Sequence, residues 1–241
     1  MQQRLPSLYS RPILFAHRGA SAHAPENTLE SFRLALKLGA TGIETDCWVT
    51  SDEKVVLDHD GLVKKRFIPN FRPEEIANTP SSELDESIPK IGDLLALIEP
   101  ETKVSIDVCD VEAMPLIASL VSHALAENIF ICHPDIEVLQ SWKLRFPNFK
   151  FVNSIRLKKI YEGPERRCAN LAKFGIEALN MHHTDWNGGL VALAHRFNVA
   201  AFSWDLQYGE QLETAMLMGV DAVFSDWPDR MLDANRKVFE I

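Results

Sequence analysis

The feature of this sequence that most constrains its fold is a regular alternation of two hydrophobic patterns. Short apolar and β-branched runs, typical of buried strands, alternate with longer stretches whose apolar residues have helical spacing. Nine strands are predicted, at 13–16, 42–49, 55–58, 104–108, 129–132, 149–154, 178–181, 200–204 and 222–225. Eight amphipathic helices are predicted, at 29–38, 91–98, 111–126, 136–146, 165–174, 188–197, 210–218 and 229–238. Repeated βα units favour a parallel barrel or a doubly wound open sheet.

Nine strands are one too many for an eight-stranded barrel. The short connection between the second and third predicted strands identifies the surplus strand. Segments 42–49 and 55–58 are separated by only five residues, which suits a hairpin and not a parallel crossover. The numbers of facing residues then sum to about 103, which places His59 opposite Glu44, give or take one residue. The other eight strands predict a (β/α)8 TIM barrel, α/β in class, with an open sheet as the alternative.

The composition limits which classes of partner this predicted single domain of 241 residues can bind. Lys and Arg number 25 against 34 Asp and Glu, a formal net charge of −9. Nucleic acid and anionic membranes are bound by basic surfaces, so neither is expected as a bulk partner. The sequence shows neither a secretory signal nor an apolar stretch long enough to insert stably in a membrane. The four cysteines lack C-x-x-C spacing, so a reducing cytoplasmic location is expected; the oligomeric state is left open.

Residues 61–89 form the one irregular stretch of the sequence. The segment carries four prolines, mixed charge and no long apolar period. Long loops in compact domains are often functional, and this one leaves the hairpin on the face where the barrel strands end. The segment is therefore either a lid beside the substrate or a tolerated surface insertion.

Two groups of polar residues lie where chemistry is expected. His17 and Arg18 directly follow the first strand, the usual location of catalytic groups in barrels. Glu44 and Asp46 are two apart in the second strand, so their carboxylates face the same way, and Asp107 lies among apolar residues of the next barrel strand. Buried carboxylates need a cation or a basic partner. The cluster therefore indicates either Mg²⁺ or Ca²⁺, or neutralisation by Arg18 or a lysine.

The motifs together resemble the glycerophosphodiester phosphodiesterase family, over residues 13 to about 232. The resemblance is carried by His17-Arg18-Gly19, Pro25-Glu26-Asn27-Thr28, Glu44-x-Asp46, His59-Asp60, Trp204 and the closing segment 219–228. Without the resemblance, the quartet 25–28 has mainly a structural interpretation, with Asn27 or Thr28 as the N-cap of the first helix.

The resemblance implies a fold, a reaction and a role for each motif residue. The implied fold is a (β/α)8 barrel. The implied reaction is the metal-dependent hydrolysis of glycerophosphodiesters, which are small-molecule substrates, to sn-glycerol 3-phosphate and an alcohol. Glu44, Asp46 and Asp107 would hold one divalent cation, Mg²⁺ or Ca²⁺. The remaining roles are His17 and His59 as the acid-base pair, Arg18 and Trp204 as substrate-binding residues, and 61–89 as the insertion of a single domain spanning 1–241.

Two positions depart from the family pattern on the third barrel strand, where Glu and then Lys are usual. This sequence has Asp107 and Cys109, and Lys64, Lys65 and Arg66 are candidates to replace the missing cation. Two alternatives therefore stay open. One is a phosphodiesterase of the same superfamily that acts on lysophospholipids, and the other is a weakened barrel that binds phosphodiesters without efficient turnover.

Overall fold

Eight parallel strands close into a barrel in a computed structural model that describes residues 4–63 and 74–240. The barrel strands are β1 (Ile13–Ala16), β2 (Gly42–Val49), β6 (Lys103–Val108), β7 (Ile129–His133), β8 (Lys150–Ser154), β9 (Ala178–His182), β10 (Ala200–Trp204) and β11 (Ala222–Ser225). Three further strands are β3 (Val55–Leu57), β4 (Leu62–Val63) and β5 (Glu74–Glu75). Strand β1 pairs in parallel with both β11 and β2, which closes the sheet. The predicted (β/α)8 barrel is thus confirmed, and the open-sheet alternative is wrong.

Helices cover the outside of the barrel between the strands. They are α1 (Leu29–Lys37), α2 (Ile91–Leu97), α3 (Ala113–Leu120), α4 (His123–Ala126), α5 (Ile136–Arg145), α6 (Pro164–Phe174), α7 (Gly188–Arg196), α8 (Gly209–Leu217) and α9 (Pro228–Phe239). The single helix predicted at 111–126 is wrong, because two helices occupy that stretch. Val121 is extended at the end of α3, and the Ser122 side chain caps α4 by accepting a hydrogen bond from the Leu125 backbone N–H.

Strand β3 runs antiparallel to β2, as the short connection predicted. Cys47 pairs with Leu57 and Val49 with Val55, and the Asp58 backbone N–H donates to the Asp46 carbonyl at 3.2 Å. The residue numbers of each facing pair therefore sum to 104, which differs by one from the expected 103. On this register His59 falls opposite Thr45, inside the stated margin of one residue.

Side chains alternate between the inside and the outside of the barrel, as strand geometry requires. The lower interior is filled by the rings of Phe15, Phe130, Phe202 and Phe224, with centroids from 4.8 to 6.2 Å apart. The outward-facing residues pack against the helices in a second, larger core. The barrel is therefore a packed layer with polar groups above it, at the carboxyl ends of the strands.

The insertion at 61–89 is described only in part. Its short strands β4 and β5 pair antiparallel, and 3₁₀ turns follow at Ile76–Asn78 and Ser81–Glu83. Residues 64–73, which include the candidate cations Lys64, Lys65 and Arg66, lie outside the described residues. The single-domain boundaries and the lid role stay predictions. Within 4–63 and 74–240, every helix is too short or too polar to cross a membrane.

Candidate active site

Three carboxylates meet at the carboxyl end of the barrel. Glu44 and Asp46 face inward from β2, and Asp107 faces inward from β6, where it pairs in register with Asp46. One oxygen from each lies within 4.8 Å of the others. Glu44 and Asp46 are only 3% and 6% exposed. The convergence that was predicted from strand alternation is therefore present in the structure.

Glu44, Asp46 and Asp107 together form the acid cluster, and their burial makes full ionisation of all three carboxyl groups costly. Burial raises the pKa of Glu44 to about 8, against the opposing charge of His17, and Asp46 and Asp107 add repulsion. Burial and the charge of Asp46 likewise raise the pKa of Asp107 to about 6. Three adjacent carboxylates hold their negative charges near neutral pH only if a cation compensates them.

Arg18 supplies part of that compensation. Its Nε lies 3.3 Å from Asp46 Oδ2, and its backbone N–H donates to Glu44 Oε2 at 2.8 Å. Nε is buried and makes no aligned hydrogen bond, although it lies within ion-pair distance of Asp46. Arg18 also pairs with Glu26 at 3.0 Å, so even with the imidazolium of His17 beside Glu44 the neutralised alternative accounts for only part of the charge on three carboxylates. The all-oxygen donor set fits a hard divalent cation such as Mg²⁺ or Ca²⁺.

A tight turn after β1 places Arg18 there. Arg18 adopts a left-handed backbone conformation with φ of +54°, and Gly19 follows at +81°. A Cβ on Gly19 would lie 2.4 Å from Ser31 Oγ, so the packing of the turn against α1 requires glycine. Non-glycine residues rarely adopt this conformation, and they concentrate at functional sites.

His17 lies between the acid cluster and a fourth carboxylate. Its Nδ1 is 2.7 Å from Asp226 Oδ1, and its Nε2 is 3.9 Å from Glu44 Oε2. Burial disfavours the charged imidazole, but the charge of Glu44 and the hydrogen bond to Asp226 outweigh it and raise the pKa of His17 to about 9. This arrangement fixes the ring and directs Nε2 toward the acid cluster.

The structure gives the other predicted site residues different surroundings. His59 is 44% exposed, and its Nδ1 lies 2.9 Å from Asp60 Oδ1. Trp204 ends β10 and contacts the ring of His182 edge-on at a centroid distance of 4.6 Å. Cys109 continues the inward alternation of β6 and its thiol lies 3.8 Å from the Asp107 carbonyl. Burial raises the pKa of this thiol to about 12, so the thiol is neutral.

Sequence reasoning missed two residues of the site. Thr28 is indeed the N-cap of α1, but Asn27 donates from Nδ2 to Asp46 at 3.3 Å and accepts from the Thr45 hydroxyl at 2.6 Å. Asp226, the partner of His17, lies just beyond β11. Its position carried a usable signal, because barrel closure places the residue after the last strand beside the residue after the first.

The fold and the site together define a class of protein: a (β/α)8 barrel with an acid cluster for a hard cation and a carboxylate-oriented histidine beside it. The sequence profile of the glycerophosphoryl diester phosphodiesterase family matches residues 17–230. The chain belongs to this family, as the motif resemblance predicted. Family membership identifies the chain as an enzyme and glycerophosphodiester hydrolysis as its reaction.

Individual relatives are similar over nearly the whole chain. A glycerophosphodiester phosphodiesterase of Caldanaerobacter subterraneus subsp. tengcongensis is 27% identical, over 94% of this chain and 99% of the relative. The solved structure of a Thermotoga maritima glycerophosphodiester phosphodiesterase has a TM-score of 0.81 at 22% identity, covering 93% of this chain and 99% of that one. An Oleispira antarctica phosphodiesterase, solved with the product sn-glycerol-3-phosphate, has a TM-score of 0.77 at 20% identity over 93% and 96% of the two chains. The structural similarities bear on the fold alone.

Proposed function

We propose that this chain hydrolyses glycerophosphodiesters to sn-glycerol 3-phosphate and an alcohol at the acid cluster. The observation that carries the proposal is the convergence of Glu44, Asp46 and Asp107 beside His17, whose ring is held by Asp226. The similar Oleispira antarctica phosphodiesterase was solved with sn-glycerol-3-phosphate, which supports this product.

Glu44, Asp46 and Asp107 would hold one divalent cation, Mg²⁺ or Ca²⁺. When bound, such an ion neutralises phosphate oxygens and stabilises the charge that develops in the transition state. The carboxylates of this chain bring the charge that attracts the ion. Asn27 donates to Asp46 and the Arg18 backbone N–H donates to Glu44, so both side chains are held in place beforehand.

His17 would transfer a proton at Nε2. The hydrogen bond from Nδ1 to Asp226 fixes the ring and leaves Nε2 as the nitrogen facing the acid cluster. The charge of Glu44 contributes to the raised pKa of about 9, so a cation held by Glu44 would bring the pKa of His17 back toward the neutral range suited to both proton removal and donation. His59 is the proposed second member of the pair. Its side chain is 44% exposed and belongs to the short connection between β3 and β4.

Arg18 is the proposed phosphate-binding residue. Its guanidinium carries a fixed positive charge beside Asp46, and Nε makes no aligned hydrogen bond. Guanidinium N–H groups match the geometry of phosphate oxygens, and such charge-assisted contacts are stronger than neutral ones. Recruitment of the anionic substrate by a chain of net charge −9 is therefore local. Trp204, at the end of β10, is the proposed contact for the remainder of the substrate.

The nucleophile is proposed to be the glycerol hydroxyl next to the ester, with a cyclic phosphate that water opens later. Direct attack by water is the alternative. A glycerophosphodiester analogue in which that hydroxyl is methylated distinguishes the two routes. The internal route predicts that the analogue is not cleaved, whereas cleavage at an undiminished rate supports direct attack by water.

The test of the function is release of sn-glycerol 3-phosphate from glycerophosphocholine in the presence of Mg²⁺ or Ca²⁺. The wild-type protein is compared with His17→Ala and with His123→Ala, a histidine on the outer helix α4. General acid-base catalysis contributes roughly 10²–10⁴-fold, so His17→Ala should lose at least about a hundredfold in kcat. Equal background turnover in the wild type and His17→Ala would overturn the proposal and leave a binding-only barrel.

A cytoplasmic location is also proposed. All four cysteines are free within the described residues. Free thiols are common where the cell keeps them reduced. Localisation by fluorescent fusion tests this proposal independently of activity.

A further inference from the structure

A second cluster of metal-ligating side chains lies at the mouth of the barrel. It consists of His182, His183 and Asp205, and is named here the histidine cluster. One ring nitrogen of each histidine and one carboxylate oxygen lie within 4.8 Å of one another. The residues come from the ends of β9 and β10, and nothing in the proposed hydrolysis uses them.

The backbone explains why two consecutive histidines lie side by side. Successive side chains of a strand point to opposite faces, but β9 ends at His182 and a 3₁₀ turn begins at His183. The two rings therefore lie side by side in a tilted arrangement, with centroids 4.6 Å apart and an interplanar angle of 30°. Asp205 follows β10 in a left-handed conformation, φ +63°, that directs its carboxylate back toward His182.

The histidine cluster is separate from the acid cluster. Around the barrel the strand order is β1-β11-β10-β9-β8-β7-β6-β2. Strand β9 is four strands from β2 in either direction, and β10 is four strands from β6. The two clusters therefore occupy opposite sides of the barrel mouth and cannot share one ion.

The surroundings of His182 suit a ligand role. Its Nε2 lies 3.0 Å from Asp205 Oδ2, and its Nδ1 lies 2.7 Å from the Thr184 hydroxyl and 3.2 Å from the Thr184 backbone nitrogen. The backbone N–H favours the proton on Nε2, shared with Asp205. A cation at Nε2 requires the ring proton to move from Nε2 to Nδ1, where the Thr184 hydroxyl can accept it in place of the hydrogen bond from the backbone N–H.

His183 places a ring nitrogen beside the other two groups of the cluster. A weak contact of 3.5 Å joins its Nε2 to the Gln211 amide nitrogen. That amide group is a donor, because Gln211 Oε1 already accepts from the backbone N–H of Gln207 and Tyr208. His183 Nε2 is therefore the acceptor in this contact, so this nitrogen keeps a lone pair and the ring proton lies on Nδ1.

We propose that the histidine cluster binds one divalent transition-metal ion, of which Zn²⁺ is the representative. Two imidazoles and one carboxylate are the ligand set of open zinc sites, whose fourth position is left for water or another oxygen ligand. Bonds of about 2.0–2.2 Å in a tetrahedral site place ligand atoms about 3.3–3.6 Å apart. His182 Nε2 and Asp205 Oδ2, now 3.0 Å apart, would separate by a few tenths of an ångström, and the His183 nitrogen, which lies within 4.8 Å of both, would move toward them.

A nearby positive charge does not prevent cation binding. The Arg156 guanidinium lies 5.8 Å from the ring of Trp204 and contacts the Thr184 hydroxyl at 3.5 Å. It is paired with both carboxylate oxygens of Asp185, at 2.6 and 3.1 Å. This bidentate pair neutralises the arginine beside the histidine cluster, and Asp205 remains to balance the metal.

The test is Zn²⁺ binding measured by calorimetry in excess Mg²⁺, which occupies the acid cluster with a hard ion. We expect the wild type to retain one Zn²⁺ per chain. The variants His183→Gln and Asp205→Asn should lose more than about tenfold in Zn²⁺ affinity, since even outer partners of a metal site contribute 10–100-fold. The matched control is His133→Gln, because His133 ends the barrel strand β7 outside the cluster.

Several outcomes would overturn the proposal. They are no retained Zn²⁺ in the wild type, equal affinity in His183→Gln and the wild type, or an equal loss in His133→Gln. Far-ultraviolet circular dichroism melts confirm that each variant is folded. Replacement by Co²⁺ adds a second readout, since the visible absorption of the bound ion should disappear in His183→Gln. Neither readout depends on phosphodiesterase activity, so failure here leaves the proposed hydrolysis untouched.

Discussion

His17 and Asp226 are 209 residues apart in the chain, yet His17 Nδ1 and Asp226 Oδ1 lie 2.7 Å apart. The contact exists because β1 pairs with β11, with Ala16 beside Ser225, so the next residue of each strand lies at the same point of the barrel rim. Ring closure thus places a carboxylate behind the histidine that faces the acid cluster. His17 is thereby oriented before any substrate arrives.

Asp226→Asn tests this positioning role. Losing a hydrogen bond to a charged group costs about 1.5–3 kcal/mol, which corresponds to a fall of roughly 10–100-fold in kcat with KM little changed. The pH–rate profile should also shift, because the imidazolium loses a stabilising carboxylate. Asp229→Asn is the matched control, since Asp229 contacts His23 at 3.2 Å in the same region. Equal kcat in Asp226→Asn and Asp229→Asn would contradict the role.

Cys109→Lys tests whether the cysteine is an uncompensated loss of a cation. Cys109 continues the inward face of β6 beyond Asp107, and its backbone N–H donates to the Cys47 carbonyl at 3.2 Å, which anchors the position. A lysine there would add a charge-assisted contact to the phosphate, so kcat/KM should rise roughly tenfold or more. Cys109→Ala removes the thiol without adding charge and should leave kcat/KM near the wild-type value. A rise in both variants would show that charge is not the cause.

Asp52 joins the β2–β3 turn to the insertion and makes stability depend on pH. Its carboxylate accepts from the Thr50 hydroxyl at 2.6 Å, the Ser81 backbone N–H at 2.7 Å and the Ser81 hydroxyl at 2.8 Å. These hydrogen bonds hold the pKa of Asp52 well below its ordinary value of 3.8. The stabilisation is therefore complete above about pH 4 and is lost as pH falls further.

Asp52→Asn should lower the free energy of unfolding near pH 6, with a difference from the wild type that shrinks toward pH 3. Urea unfolding at both pH values measures it. Glu53→Gln, in the same turn, is the control and should differ little from the wild type at either pH. A difference that grows on acidification would contradict the sign of the linkage.

Local recruitment of the substrate predicts weak salt dependence. The net charge of −9 offers no long-range attraction for an anionic diester. Strong steering changes association rates by roughly 10–10³-fold with ionic strength, whereas kcat/KM here should change far less. Steady-state kinetics in increasing NaCl measure this. A steep rise with salt would instead indicate that overall repulsion limits the enzyme.

Most of the fold was predictable because hydrophobic period and connection length act locally. Strands β1, β2, β10 and β11 have the predicted bounds, and the five-residue connection correctly identified β3 as a hairpin strand. Alternation within β2 correctly placed Glu44 and Asp46 on one face. The break between α3 and α4 was missed, because a serine N-cap inside an apolar stretch competes with continuous helix.

The parts of the site that escaped prediction depend on contacts between distant segments. Asn27, which donates a hydrogen bond to Asp46, has a left-handed backbone conformation with φ of +53°, and the spacing of apolar residues does not predict such a conformation. The histidine cluster similarly depends on a turn after β9 and on the side-by-side pairing of β9 with β10. Register fixes which strand ends are neighbours, but side-chain direction past the strand end follows only from the folded loops.

The central claim, that the acid cluster holds a hard divalent cation needed for turnover, is tested most directly by metal removal. Glycerophosphocholine hydrolysis is measured for wild-type protein and Asp46→Asn after EDTA treatment and then after addition of Mg²⁺ or Ca²⁺. We expect EDTA to abolish wild-type turnover, one of the two ions to restore it, and Asp46→Asn to need a much higher ion concentration. Wild-type turnover that persists in EDTA, or an identical ion requirement in Asp46→Asn, would contradict the claim.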